Sequence, residues 1–279
     1  MVLQEEEVYP RIKDLLKLIQ ECAEMVLEIY NSKSFEIEYK EDESPLTTAD
    51  KASHALLAKG LGDMFPQIPI LSEEQTYEVD YSERKKWTAN WCIDPIDGTK
   101  EFIKKNGQFA ICVGLIVHNK PVFGMVNIPC QRKTYYAAVG KGAWVQHDYS
   151  VIKSVSVKNL DWNHPKIATS LSHMNSTTKN FIVKHFGENY TEYPLVSCIK
   201  FLELAAGNVD LYIRFQGSME WDTAACQIIV EEAGGVVIDT KTLIPIKYNR
   251  ENLTNNNFIV FAKTDISTIK NRFKQLFVE

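Results

Sequence analysis

The chain has 279 residues, of which 45% are hydrophobic and 24% are charged. These values are typical of a folded globular protein and exclude a disordered chain, collagen and a long coiled coil. This length corresponds to one large domain or two joined halves, because domains average about 150 residues. The net charge of −5 argues against a nucleic-acid polymer as partner. An anionic small substrate would have to be bound by local cations or by a metal ion.

The cysteines and the N-terminus indicate an intracellular protein. Six cysteines are spread singly along the chain, without a C-x-x-C pair, which predicts reduced thiols rather than a disulfide framework. The first residues are acidic and then amphipathic, unlike a secretory signal peptide. No apolar run approaches the roughly 20 residues of a membrane span. We therefore expect a cytoplasmic protein without an integral membrane segment, and peripheral association with the inner membrane stays open.

The first half of the chain is predicted to be α+β, with mainly antiparallel strands. Pro10 begins a helix whose apolar residues recur with helical spacing from Ile12 to Ile29. Thr47 and Thr48 can cap a second helix. The segment 74–86 is highly charged and predicts an exposed loop or a short helix. Strands are predicted over 35–40, within 65–72, and over 91–93, 109–117, 122–126 and 134–139.

Near residue 160 the pattern changes to alternating helices and strands, which favours an α/β second half. Gly234 and Gly235 form a C-terminal signal after a strong helix. Helices are predicted over 177–185, 200–206 and 221–233 and from residue 265. Strands are predicted over 166–169, 209–215, 236–239 and 258–262.

The most informative segment is DPIDGT, which begins at Asp94 after a buried-looking strand. Pro95 stiffens the turn between Asp94 and Asp97, so that the two carboxylates can face a common point. Gly98 lets the backbone approach a ligand closely, and free amides near Thr99 could hold an anion. Oxygen-only ligands select hard cations such as Mg²⁺. Two such ions about 3.5–4 Å apart clamp the attacking and leaving oxygens in phosphoryl transfer. Asp, Pro and Gly also form ordinary turns, so this segment alone leaves a simple turn equally open.

Three further acidic residues lie near the predicted ends of elements. Glu73 follows an apolar run, and Asp222 opens the helix predicted over 221–233, beside an alanine-rich face. A buried carboxylate there is costly without a partner, and a metal ion would supply one. An acid in a first helical turn is also favoured simply by the helix dipole. For Asp50 taken alone, that explanation is the better one.

Taken together, these segments resemble a known family. DPIDGTKEF, preceded by SEE and followed far downstream by WDTAA, looks like the inositol-monophosphatase superfamily of Mg²⁺-dependent, lithium-sensitive phosphomonoesterases. DGTKEF, in place of the DGTTNF typical of inositol monophosphatases, resembles the 3′(2′),5′-bisphosphate nucleotidases, and among them the bacterial CysQ type most. The similarity runs nearly end to end and includes LTTAD, GKGAW and IKYNRENLTNNNF.

The resemblance implies an α/β (α+β) fold, the layered αβαβα sandwich of the inositol-monophosphatase and sugar-phosphatase type, with two subdomains. Residues 1–157 would form an N-terminal α+β subdomain that carries most metal ligands. Residues 158–279 would form a C-terminal α/β subdomain that carries Asp222 and the nucleotide contacts. The metal site would lie between the two halves.

The resemblance also implies roles for individual residues. Two or three Mg²⁺ ions would be held by Glu73, Asp94, the backbone carbonyl of Ile96, Asp97 and Asp222, with Asp94 bridging two ions. Catalysis would fall to Glu73, Asp94, Thr99 and Asp50. Thr99 would orient and deprotonate the attacking water with Asp50 behind it, because a threonine hydroxyl is a poor base alone. The phosphate and the nucleotide would be bound by Gly98, Thr99, His173, Ser197, Lys200, Arg214 and Asp222.

Several of these substrate contacts have ordinary alternatives. His173 is almost equally well explained as a surface histidine on a loop, and a lone Lys200 is usually a solvated helix residue. Arg214 lies at the end of an apolar strand, where its charge would suit a second phosphate. Val196 and Cys198 depart from the family pattern, which has a glycine and a small residue at these places.

The implied reaction is hydrolysis of adenosine 3′,5′-bisphosphate to AMP and phosphate, with 3′-phosphoadenosine 5′-phosphosulfate as a further substrate. Such an enzyme would clear a by-product of sulfate activation and act as a monomer or homodimer. One alternative is a phosphatase acting on inositol phosphate or another small sugar phosphate. Another is a non-catalytic phosphate or metal sensor, which the intact acidic residues argue against. A Rossmann or P-loop nucleotide-binding protein is unsupported, because neither glycine pattern occurs.

Overall fold

The computed structural model describes residues 8–32, 35–39, 45–171 and 174–273, apart from the side chains of 76–78. Of the predicted site residues, His173 lies outside the described part. The α-helices are α1 (Ile12–Asn31), α2 (Thr48–Met64), α3 (Tyr81–Arg84), α4 (Thr99–Ile103), α5 (Ser176–Phe186), α6 (Ile199–Ala205), α7 (Glu220–Glu232) and α8 (Ile266–Arg272). Short 3₁₀ helices span Tyr9–Arg11, Glu73–Glu78 and Pro129–Gln131.

The strands are β1 (Ile37–Tyr39), β2 (Pro45–Thr47), β3 (Ile70–Ser72), β4 (Ala89–Asp97), β5 (Ala110–Val117), β6 (Lys120–Ile128), β7 (Lys133–Ala138), β8 (Ala143–His147), β9 (Val151–Val155), β10 (Lys166–Ser170), β11 (Thr191–Leu195), β12 (Leu211–Arg214), β13 (Val236–Asp239) and β14 (Phe258–Phe261). They form one large sheet, one smaller sheet and a two-stranded ribbon of β1 and β2. The large sheet has seven strands in the sequential order β3 to β9 and is antiparallel except for the parallel pair β3–β4. The smaller sheet has the order β11-β10-β12-β14-β13, with β10, β11 and β12 parallel.

Alternating residues of the strands divide the core into three layers of apolar contacts. Ile111, Val113 and Leu115 of β5 pack with α1 and α2 on one face of the large sheet. Cys112 on the opposite face packs with α6 and α7, which also cover the smaller sheet. The outer face of the smaller sheet packs with α5 and α8. The period-two alternation of each strand therefore builds five layers in the order αβαβα.

Two glycines allow α7 to lie very close to the large sheet. A Cβ at Gly114 would lie 3.0 Å from the backbone nitrogen of Ala225, and a Cβ at Gly124 would collide with the carbonyl oxygen of Ala225. Larger residues at these places would push the helix away from the strands. Because Asp222 lies in the first turn of α7, this close packing also fixes the position of its backbone.

The predicted α/β class and layered sandwich are confirmed, as are the predicted helices apart from small differences at their ends. β4 differs from expectation, because it continues through Asp94 and Pro95 to Asp97 instead of ending in a turn. The register with β5 shifts between Asp94 and Asp97, so that Pro95 and Ile96 lie opposite the single residue Ile111. A bulge of this kind accommodates proline, which has no N–H to donate. The division into subdomains at 157/158 stays a prediction.

All six cysteines are free, as predicted, and Cys130 is the exposed one. Within the described ranges, no helix combines the length and the apolar character needed to cross a bilayer.

Candidate active site

A cavity of about 690 Å³ opens where the two sheets and the helices between them meet. It is reached by the C-terminal ends of β4 and β12, by the first turns of α4 and α7, and by the segment that precedes α6. Ten of the predicted site residues line it: Glu73, Asp94, Ile96, Asp97, Gly98, Thr99, Ser197, Lys200, Arg214 and Asp222. The fold therefore brings together residues from distant parts of the chain, as expected.

Asp50 does not line the cavity but is joined to it through Thr99. The hydroxyl of Thr99 lies 3.1 Å from Asp50 Oδ1 and 3.2 Å from the carbonyl oxygen of Ile96, either of which can accept its proton. The second oxygen of Asp50 accepts hydrogen bonds from the amide and the hydroxyl of Thr47, at 2.7 and 2.5 Å. Asp50 thus closes the capping box of α2 and also contacts Thr99. Burial is the main cause that raises its pKa, although the hydrogen bonds from Thr47 oppose the effect.

Gly98 makes the turn between β4 and α4 possible. Its φ of +98° lies in the left-handed region, where glycine carries no steric cost. A Cβ at this position would also collide with the side chain of Ser197. Gly98 is therefore required twice, once for the turn and once for the approach of the segment before α6.

The two aspartates of DPIDG hold different positions. Asp94 is 2% exposed, and its Oδ1 accepts a hydrogen bond of 3.0 Å from the amide of Ile96. Burial raises the pKa of Asp94 well above its ordinary value, and the negative charges of Glu73, Asp97 and Asp222 add to the effect. Asp97 is partly exposed, and its Oδ2 accepts a 2.5 Å hydrogen bond from the amide of Cys198.

Asp222 lies in the first turn of α7 and accepts a 2.9 Å hydrogen bond from the amide of Met219. Burial raises the pKa of Asp222 well above its ordinary value, and the negative charges of Asp97 and Glu73 add to the effect. The helix-cap explanation is therefore correct but incomplete, because the carboxylate also faces other acids across the cavity.

Glu73, Asp94, Asp97 and Asp222 form an acidic cluster in the cavity. The chemistry of this cluster fits a hard divalent cation. Its side chains offer only oxygen, and the raised pKa values of Asp94 and Asp222 show that protein burial and neighbouring carboxylates oppose their ionisation. The acids do not form a closed cage: across the residues described, no three acidic side chains bring their oxygens within 4.8 Å of one another. Mg²⁺ does not need such a cage, because it is usually held by one or two carboxylates, with waters and substrate phosphates completing the shell.

Two cations, Lys200 and Arg214, also line the cavity. Lys200 is only 3% exposed, and its Nζ lies 5.2 Å from the ring centroid of Tyr212. Burial lowers the pKa of Lys200 to about 8, and the negative charge of Asp97 opposes the effect. Lys200 is therefore not the solvated helix residue that its type alone favours. Arg214 is held by hydrogen bonds to the carbonyl oxygens of Gln216 and Gly217, at 3.1 and 3.2 Å.

The backbone of the segment before α6 accommodates Val196 and Cys198, the two residues that depart from the family pattern. Val196 and Cys198 are both buried, and neither has a positive φ. The left-handed residue is Ser197, with a φ of 51°. A side chain at position 196 is thus compatible with this backbone, and the strain falls on Ser197.

Arg84 is a cavity residue that the sequence analysis missed. It belongs to the charged segment 74–86, which we expected to be exposed, but Arg84 itself is buried. Its guanidinium donates to the side chain of Asn249 and to the carbonyl oxygens of Arg250 and Glu251, at 3.0, 3.1 and 3.4 Å. All three partners lie about 165 residues downstream, so no local pattern could have indicated this contact.

Comparison with known proteins assigns the chain to a family. The sequence profile of the inositol monophosphatase family matches residues 9–269, and the chain belongs to this family.

Within the family, several relatives carry one name. The 3′(2′),5′-bisphosphate nucleotidase CysQ of Salmonella typhimurium is 36% identical over 252 residues, which cover 89% of this chain and 98% of that protein. CysQ of Escherichia coli K12 is 35% identical over 251 residues, with the same shares covered. The crystal structure of CysQ from Bacteroides thetaiotaomicron, described as a bacterial member of the family, superposes with a TM-score of 0.80 at 32% identity and covers 92% of this chain and 100% of that one. The IMPase of Thermotoga maritima shares the fold at 22% identity, with a TM-score of 0.77 and coverage of 96% of this chain and 98% of that one.

Proposed function

We propose that this protein is a Mg²⁺-dependent 3′(2′),5′-bisphosphate nucleotidase that hydrolyses adenosine 3′,5′-bisphosphate to AMP and phosphate. The observation that carries the proposal is the Thr99–Asp50 hydrogen bond at the edge of the cavity that Glu73, Asp94, Asp97 and Asp222 line. The nucleotide substrate is supported by the CysQ relatives, which cover nine tenths of the chain. The two cations in the same cavity, Lys200 and Arg214, add support, because a bisphosphate brings more negative charge than a single phosphate.

In this proposal two or three Mg²⁺ ions would be held by Glu73, Asp94, Asp97, Asp222 and the carbonyl oxygen of Ile96. Bound Mg²⁺ supplies positive charge that neutralises the phosphate and acidifies water. The positive charge of a bound cation would favour the ionised form of each acid. It would thus oppose both the burial and the neighbouring negative charges that raise the pKa values of Asp94 and Asp222.

Thr99 and Asp50 handle the proton of the attacking water. When the Thr99 hydroxyl donates to Asp50, a lone pair of its oxygen is left to accept a hydrogen bond from water. As the water attacks phosphorus, its proton passes to Thr99 and the hydroxyl proton passes to Asp50. A buried carboxylate of raised pKa accepts a proton more readily than an exposed one. Positioning and charge neutralisation account for most of the remaining acceleration.

The nucleotide part of the substrate extends toward the second half of the chain. Amides near Gly98 and Thr99 hold the phosphate that is cleaved, while Ser197, Lys200, Arg214 and Asp222 contact the nucleoside and the second phosphate. His173 remains a predicted contact. The same arrangement admits 3′-phosphoadenosine 5′-phosphosulfate. A cytoplasmic location and a monomeric or homodimeric state are proposals from the sequence.

A substrate panel tests the function. Phosphate release in Mg²⁺ is compared for adenosine 3′,5′-bisphosphate and inositol 1-phosphate, with and without lithium. We expect the bisphosphate to give the higher kcat/KM, and lithium to inhibit. A higher kcat/KM for inositol 1-phosphate would favour the sugar-phosphatase alternative, and tight binding without turnover would favour a sensor.

The role of Lys200 is tested with Lys200→Met, which keeps most of the buried stem. We expect KM for the bisphosphate to rise more than KM for a simple phosphate ester, because the removed charge faces the nucleotide end. Lys153→Ala is the control, because it also removes one positive charge, and Lys153 lies on β9 and does not line the cavity. Equal rises of KM for both substrates would remove Lys200 from nucleotide binding.

A further inference from the structure

Three buried cysteines from three different elements converge behind the cavity. Cys112 lies on β5, Cys198 immediately precedes α6, and Cys226 lies in α7. Their sulfur atoms all lie within 4.8 Å of one another, and the Sγ atoms of Cys112 and Cys198 are 3.6 Å apart. None of the three belongs to the acidic cluster described above, and the sequence gives no hint of the group, because the cysteines are 86 and 28 residues apart along the chain.

The spacing of the sulfurs suits a single bound ion. A zinc–thiolate bond is about 2.3 Å long, so three thiolates around one ion lie roughly 3.8–4.0 Å apart. The observed separations need only small side-chain shifts to reach this arrangement. Thiolates select soft ions, whereas the carboxylates of the acidic cluster select hard ones. The two groups of ligands are therefore chemically distinct, although they lie close together.

The group borders the cavity and has a compensating charge. Cys198 is one of the residues that line the cavity, although all three cysteines are buried. Three thiolates and one divalent cation leave a single net negative charge. The buried ammonium of Lys200 interacts electrostatically with Cys198 and offsets that charge.

We propose that Cys112, Cys198 and Cys226 form a binding site for one thiophilic divalent metal ion of the Zn²⁺ and Cd²⁺ type. Binding forms three sulfur–metal bonds, releases three thiol protons to solvent and involves no oxidation. The amide of Cys198 donates to Asp97 Oδ2, so an ion on the sulfurs holds the backbone next to a proposed Mg²⁺ ligand. The ion site itself does not depend on the proposed nucleotidase activity.

Cadmium is the probe, because its thiolate complexes absorb in the ultraviolet and those of carboxylates do not. The full-length reduced protein is titrated with Cd²⁺ in excess Mg²⁺, and bound metal is measured after dialysis. We expect one tightly bound Cd²⁺ per chain with thiolate-to-cadmium absorption. Cys226→Ala should weaken this binding more than about 100-fold, since the loss of a direct ligand costs more than the loss of a group that only hydrogen-bonds to a ligand.

Two variants are the matched controls. Cys92→Ala removes a buried thiol of β4 outside the group, and Cys130→Ser removes the exposed thiol. Both variants should bind Cd²⁺ as tightly as the wild type and show the same thiolate-to-cadmium absorption. Cys112→Ser provides a second removal of a ligand in case Cys226→Ala fails to fold. The proposal is wrong if a folded ligand variant binds Cd²⁺ as tightly as the wild type, or if the wild type shows no thiolate absorption.

Discussion

At the scale of single residues, Asp50 shows how one side chain can serve structure and chemistry together. One oxygen accepts the two hydrogen bonds of Thr47 that cap α2, and the other faces the Thr99 hydroxyl. The cap fixes the rotamer of the carboxylate before any substrate binds. Preorganisation of this kind is what a proton acceptor needs, because a loosely held carboxylate would have to be ordered during the reaction.

Thr99→Val tests the proton path, because valine keeps the shape of threonine and removes its hydroxyl. We expect kcat to fall about 10²–10⁴-fold, the usual contribution of a general base, while KM changes little. Thr99→Ser restores the hydroxyl and should recover most of the lost rate. Steady-state kinetics in saturating Mg²⁺ measure both variants, and a Thr99→Val enzyme within a few-fold of wild type would exclude this path.

The site residues differ in how far the sequence reveals them. Asp94, Asp97, Gly98 and Thr99 lie in one short segment that fits either a ligand-binding turn or a simple turn. The resemblance of the wider pattern to a phosphatase family favours the first, and the structure places all four residues on the cavity. Arg84 gave no such signal, since only tertiary packing turns one arginine of a charged segment inward. Residues of this second kind can be found only once the chain is folded.

At the scale of elements, the sequence missed one edge strand of each sheet, β9 and β11, for a physical reason, whereas it predicted the strands at the opposite edges, β3 and β13. β9 forms the edge of the large sheet, and all but one of its residues are exposed, so it lacks the apolar alternation that reveals a strand. β11 forms the edge of the smaller sheet and contains Pro194, which only an edge tolerates well. The missed β8, by contrast, lies inside the sheet, next to β9. Backbone hydrogen bonds to a neighbouring strand hold β9 and β11 in their sheets. Such pairing does not require a hydrophobic pattern, so the sequence contains no signal for it.

The contact between α7 and the large sheet predicts a strong effect of a small substitution. In Gly124→Ala the new methyl group meets the carbonyl oxygen of Ala225, which is backbone and cannot move aside. We expect a loss of about 1–3 kcal/mol in the free energy of unfolding, the usual cost of overpacking. Gly62→Ala in α2 is the matched control, because its Cβ would meet nothing within 4 Å. The control should gain about 0.5–1 kcal/mol, and a neutral Gly124→Ala in urea unfolding would contradict the proposed close packing.

Another prediction for α7 concerns Glu231, which accepts a 2.9 Å hydrogen bond from Gln227. Burial raises the pKa of Glu231 from 4.5 to about 7, although that hydrogen bond opposes the effect. The folded state therefore keeps a proton that the unfolded state has lost, and this residue makes the protein less stable as pH rises from 4.5 through 7. Glu231→Gln cannot titrate, so its stability relative to wild type should increase over this interval and then level off. Urea unfolding at several pH values measures the difference, and parallel curves would contradict the prediction.

At the scale of the whole molecule, the cavity joins parts of the chain that have little else in common. The large sheet contributes the end of β4, the smaller sheet contributes the end of β12, and the helical layer between them contributes α6 and α7. Asp94, Asp97 and Asp222 come together in this cavity, and the negative charge of Asp97 helps to raise the pKa values of the other two. Folding the metal-free protein therefore includes a repulsive contribution that a bound cation would reverse.

This repulsion predicts how Mg²⁺ changes the melting temperature. A ligand at about 100 times its Kd stabilises the folded state by about 2.7 kcal/mol, so excess Mg²⁺ should raise Tm by roughly 5–10 °C at about 2–4 °C per kcal/mol. Asp94→Asn removes one negative charge and one of the proposed Mg²⁺ ligands. With a chelator present it should melt at or above the wild-type temperature, and with Mg²⁺ it should melt below it. Calorimetry at matched ionic strength, with NaCl replacing MgCl₂, separates specific binding from screening. A rise of equal size in both proteins, or one that NaCl reproduces, would show that the acidic cluster does not hold the metal.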